Sequence, residues 1–190
     1  MGDIDEVEFG PDAVVFRDYP FPGASVYPKG AVAWANVVEV ELDLAAPPEL
    51  RLANERLFIS ATLKDDLRRE AEAHGVPVVE RHDVWDLLLE PFIDTAFDED
   101  DERRTGDLLE LNGVSRDEAR RIREAVGEKM LGYNSLVWDW AHLGMFDLFL
   151  AHRPGPASGR GMDEARFREL YAWAQEIAQR AGIRDRVSYQ

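Results

Sequence analysis

Cysteine is absent from this chain of 190 residues. Its absence excludes disulfides, thiolate metal sites and a cysteine nucleophile. Lysine is scarce too: Lys29, Lys64 and Lys129 are the only three, and arginine supplies the other cations. Cations of both kinds are outnumbered, since Lys+Arg 22 against Asp+Glu 38 leaves a net charge of -16. A chain so charged repels nucleic acid and anionic membrane surfaces, so neither is expected as a partner. No run of about 18 apolar residues offers a membrane span. The opening MGDIDEVEFG is acidic and lacks the apolar stretch of a signal peptide, so a cytoplasmic location is expected. The phosphate-binding patterns G-x-G-x-x-G and G-x-x-x-x-G-K-[ST] and the nucleophile elbow G-x-S-x-G are also missing, and no cofactor is expected.

What is present is an ordinary globular composition, with 45% hydrophobic residues. Ala13 to Tyr19 reads as a strand, and 24–28 as a second short one. Val38, Val40, Leu42 and Leu44 alternate with Glu39, Glu41 and Asp43, the period of a strand with one buried and one wet face. Residues 30–61 therefore read as a small antiparallel meander. Helices are expected from about Leu63 to His74, from Val84 to Glu90, at 103–111, from Ser115 to about Met130, and from Met162 to about Arg180. Gly75 and Asn112-Gly113 are placed to stop two of them, Asp83 to cap one, and Ser115 with Glu118 to form a capping box. The acidic run DEDDE at 98–102 reads as a solvated loop. It does not fit a calcium loop, because Arg103 and Leu109 stand where glycine and glutamate are needed.

The stretch YNSLVWDWAHLGMFDLFLAH, 133–152, is the most apolar in the chain. Apolar residues on several sides of one helix mark a buried one, so a central core helix is expected over about 133–152, with Leu136, Trp140 and Leu143 on one face. Strands first and helices afterwards give an α+β class, an antiparallel β-meander in the N-terminal half followed by a mainly helical C-terminal half. The expected organisation is one compact domain, 1–190, with a β-rich lobe over 13–80 and a helical lobe over 83–182.

Two stretches bear on chemistry. Asp139 and His142 stand three residues apart on the expected central helix and so share a side. A carboxylate and a histidine at that spacing are a helical-bundle metal pair, with Glu90, Asp94, Glu124 and Glu128 as further oxygen donors. The alternative is that the two hydrogen-bond within the core, as buried polar groups must. LNGVSRDEARRIR, 111–123, is similar to the hairpin of helix-hairpin-helix DNA-binding modules, with Ser115 in place of the second turn glycine. The resemblance implies DNA binding, against a net charge that opposes it. The function expected is a non-catalytic protein-interaction or regulatory module whose partner is a protein. The alternative is a metal-dependent enzyme holding a divalent metal ion on Asp139 and His142. Oligomeric state is not legible.

Overall fold

The computed structural model describes residues 4–42, 47–93, 97–137, 142–154 and 162–182. Two small sheets come first. β1 (Val7–Phe9), β2 (Ala13–Phe16) and β3 (Gly30–Ala33) form an antiparallel sheet in that order. β4 (Glu39–Glu41), β5 (Glu49–Arg51) and β6 (Arg56–Phe58) form an antiparallel run, and β7 (Val78–Val79) adds to β4 in parallel. The helices are α1 (Lys64–Ala73), α2 (Val84–Leu89), α3 (Glu99–Leu111), α4 (Arg116–Val137), α5 (Met145–His152) and α6 (Glu164–Ala178). This is the expected α+β class. Among the described residues no helix is long and apolar enough to cross a membrane.

Several local expectations are corrected. The meander of 30–61 is divided, because β3 pairs with β2 while β4 starts the second sheet. Residues 24–28 form turns and bends instead of a strand. The acidic run opens α3. Asp98 caps it by accepting from the backbone N–H groups of Asp100 and Asp101, and four acids in the first turn match the positive end of the helix dipole. Gly132 does not interrupt α4.

The stretch expected to form one buried helix contains two. α4 continues to Val137, and His142 to Gly144 are not helical before α5 begins at Met145. Gly144 is the N-cap of α5, and its N–H donates to Asp147 Oδ2 at 3.0 Å. Leu143 is fully buried while Leu136 is 82% exposed, so the two do not share a core face. Trp140, the third residue of that face, lies outside the described residues.

The core is built around an aromatic cluster. Phe21 packs against Phe58 of β6, Phe146 and Phe149 of α5, and Phe167 of α6. The Tyr19 hydroxyl accepts the backbone N–H of Phe58 at 2.9 Å, satisfying a donor the strand leaves inside. Trp85 of α2 is buried and donates from Nε1 to the Ala174 carbonyl of α6 at 3.0 Å.

Candidate functional site

The described half of the expected metal pair, His142, lies in the connector before α5 and not on a helix. Asp139 lies outside the described residues. The partners shown for His142 come from the start of α2. Asp83 caps that helix, its Oδ1 accepting from the N–H groups of Trp85 and Asp86. Its other oxygen, Oδ2, stands 3.7 Å from His142 Nε2. Asp86, one turn on, takes His142 Nδ1 at 3.0 Å. The imidazole therefore sits between two carboxylates, with its side chain 12% exposed.

Burial alone would lower the pKa of His142. The hydrogen bond to Asp86 and the charges of Asp83, Asp86 and Asp147 outweigh it and push His142 up to about 9. At neutral pH the ring is an imidazolium, and a metal would have to displace its proton. Burial, with the nearby Asp86 charge, raises Asp83 although His142 and Arg56 oppose it. The site is also tight. A Cβ on Gly144 would stand 2.8 Å from His142 Nε2 and 3.0 Å from Asp83 Oδ2, so a side chain there would force the pair to shift.

The other expected oxygen donors are dispersed. Glu90 binds Arg104 and the Thr105 hydroxyl, Glu124 and Glu128 are exposed on α4, and Asp94 lies outside the described residues. Among the described residues no three His, Asp or Glu side chains converge as a metal-binding set. The described serines have local tasks. Ser60 and Ser115 cap helical turns, the Ser25 hydroxyl donates to Glu55 Oε2 at 2.5 Å, and Ser135 donates to the Gly132 carbonyl at 2.8 Å. Ser158 and Ser188 lie outside the described residues.

A second charged assembly escapes local sequence reading. Three guanidinium groups from the second sheet and the segment after it meet the C-terminal end of α6. Arg56 donates to the Ala178 carbonyl at 2.6 Å, Arg51 to that of Gln179 at 3.2 Å, and Arg81 to that of Ala181 at 2.9 Å. The Ala178 carbonyl also accepts the Ala181 N–H at 3.2 Å, and Gln179 and Ala181 follow the helix, so the arginines bring positive charge to the negative end of its dipole. The same arginines hold the carboxylates of β4 and β5. Glu39 binds Arg51 and Arg81, and Glu49 binds Arg56 at 3.1 Å. Burial would raise Glu39, but its two arginines hold it below the usual carboxylate range. Gln175 completes the joint by exchanging two 2.8 Å hydrogen bonds with the backbone of Arg56. The face of β4 expected to be wet is thus covered and paired: Glu39 is only 5% exposed.

The hairpin similar to helix-hairpin-helix turns is engaged within the chain. Asn112 Oδ1 accepts the Gly182 N–H at 2.7 Å, and Arg180 donates to the Gly113 carbonyl at 3.4 Å and to Glu118 at 2.8 Å. No protein family, curated protein or solved structure matches the chain.

Proposed function

We propose that this protein is a non-catalytic interaction module of the cytoplasm, and that its partner is a protein with a cationic, partly apolar surface. The observation that carries this is the apolar surface left on the last turns of α4. Leu131 is 56% exposed and Leu136 82%, whereas the apolar residues earlier in α4, Ile122, Val126 and Met130, are buried. Gly132 lies between the two leucines with open space where a side chain would stand. Five residues apart, the two leucines stand about 140° apart around the helix and offer two separate apolar anchors, and the net charge of -16 favours a partner of opposite sign.

The rival metal enzyme is disfavoured by the imidazolium character of His142 and by its near-complete burial between Asp83 and Asp86. The engagement of the 111–118 turn by Arg180 and Gly182 adds to the charge argument against nucleic acid. The β-rich and helical lobes act as one domain in this account, because the arginine joint runs between them.

The test is a double variant, Leu131→Ser with Leu136→Ser, which leaves the core intact. Affinity for the cross-linked and identified partner should fall at least roughly tenfold, the order of effect of two interface leucines, with thermal stability unchanged. Undiminished affinity would sink the docking face. About one equivalent of a divalent transition metal in protein purified without chelator, lost in His142→Asn, would put the enzyme first.

A further inference from the structure

We propose that the joint under α6 is a proton-operated latch: Glu41 holds the last turn of α6 in place when it carries a proton and loosens that turn when it ionises. The latch stands on the joint alone and does not depend on the identity of any partner.

The geometry begins in the pairing of β4 with β5. Glu39 lies opposite Arg51, a rung of opposite charge, while Glu41 lies directly opposite Glu49. Like charges facing one another across an antiparallel pair are destabilising. These two share one guanidinium: Arg56 Nη1 is 3.1 Å from Glu49 Oε2 and 3.8 Å from Glu41 Oε2. Arg56 is 3% exposed, so water screens little of this imbalance.

The groups around Glu41 come from every neighbouring element. β4 itself brings Glu39, which is bound to Arg51 and Arg81. β5 brings Glu49, β6 Arg56, and the start of α2 the charge of Asp83, with His142 beyond it. The residue after β7 and Glu80, Arg81, donates its backbone N–H to Glu41 Oε1 at 3.0 Å. α6 brings the neutral Gln175 against the Arg56 backbone and Gln179 against the Arg51 guanidinium. Arg56 is the one guanidinium shared by Glu41 and Glu49, while Asp83 has the His142 imidazolium and Glu49 also feels Arg51. Glu41 is left the least compensated of the three carboxylates, and a proton on it relieves the facing pair.

The same Arg56 links this charge to the helix, because its Nη2 donates to the Ala178 carbonyl. When Glu41 ionises, Arg56 is drawn between two carboxylates and the carbonyls of the α6 end face a more negative joint. Burial first, and then the charge of Glu49, push Glu41 up from 4.5 to about 7, against the Arg81 N–H and Arg56. A raised carboxyl stabilises the closed form fully below 4.5, and that stabilisation is lost as pH rises to about 7.

Hydrogen exchange of the amides at 175–182 tests the latch. With intrinsic rates removed, their opening equilibrium should rise with pH between 5 and 7, by up to about tenfold per pH unit for one proton, and level off above 7. Glu41→Gln, close in shape to the protonated acid, should abolish that rise. Amides at 108–111 in α3 should show no such dependence in either protein. An equal slope in wild type and Glu41→Gln, or a slope shared by α3, would overturn the proposal. Independently, the Glu41 carboxyl resonance of the unmodified protein should titrate near 7, and a midpoint near 4.5 would overturn it as well.

Discussion

The joint beneath α6 and the outer faces of α3 and α4 use the same arginines and carboxylates in opposite surroundings. Under α6, Arg56 and Glu49 are buried side by side and each is also fixed by the architecture around it. On α3, Arg103 and Asp100 pair at 2.6 Å, a shorter contact, with side chains 63% and 82% exposed. Breaking the shorter bridge is expected to cost less. In water the attraction is screened and competes with hydration and side-chain freedom. In the joint each charge has been stripped of water, and its partner is what makes that burial tolerable. Distance alone therefore ranks these interactions in the wrong order.

The largest break in the comparison is Arg56→Ala. It strands Glu49 and takes a charged donor from the Ala178 carbonyl, so a loss of about 3–5 kcal/mol is expected in urea unfolding at neutral pH. A loss under about 1 kcal/mol would mean that the joint is as wet as the surface.

Next comes His142→Asn, read through pH. His142 is raised from 6.5 to about 9. Below 6.5 both folded and unfolded chains carry the proton and the clamp contributes in full. Between 6.5 and 9 only the folded chain retains it, so stability falls as pH rises and the contribution is gone above 9. The shift corresponds to a contribution on the order of 3 kcal/mol at low pH. Unfolding curves collected from pH 6 to 10 should slope downward in the parent and be flatter in His142→Asn; parallel curves would show that the clamp carries no proton.

Gly144→Ala should cost about 1–3 kcal/mol by overpacking the space under His142 and Asp83. The further drop in melting temperature caused by Gly144→Ala should be smaller in a His142→Ala background, where the closest contact is gone. The smallest effect is assigned to Arg103→Ala on the exposed face, within about 0.5 kcal/mol, diminishing further in high salt.

Much of the helical half was legible because its signals are local. Gly75 and Gly113 take φ values of 69° and 74°, as glycines past helix ends do, and Asp83 and Ser115 cap the helices that follow them. Val40 and Leu42 are buried as their alternation requires, but Val38, expected on the same face, is 50% exposed, because it precedes β4, which starts at Glu39. The opposite face of that strand misled, because alternating glutamates look identical whether they meet water or arginines supplied from Arg51, Arg56 and Arg81. The partners of His142 were hidden for the same reason: Asp83 was readable as a cap, but nothing in the sequence ties position 83 or 86 to 142. The long apolar stretch was misread as one helix because it has no proline and is apolar on several sides, leaving Gly144 as its one weak point, and the N-cap role of Gly144 shows only through the contact with Asp147.

The arginine joint also sets an order of events in folding. Arg81 reaches Ala181 across 100 residues, Gln175 reaches Arg56 across 119, and Arg51 reaches Gln179 across 128. Contacts this distant are slow to form, since loop closure precedes any gain from them. The strands and α1 can assemble from near neighbours, whereas the sheet's charged face must wait for α6. Until then its glutamates and arginines remain hydrated, where an apolar face would be sticky. A polar seam between the expected early and late parts of the chain should leave the half-made protein less adhesive than an apolar seam would.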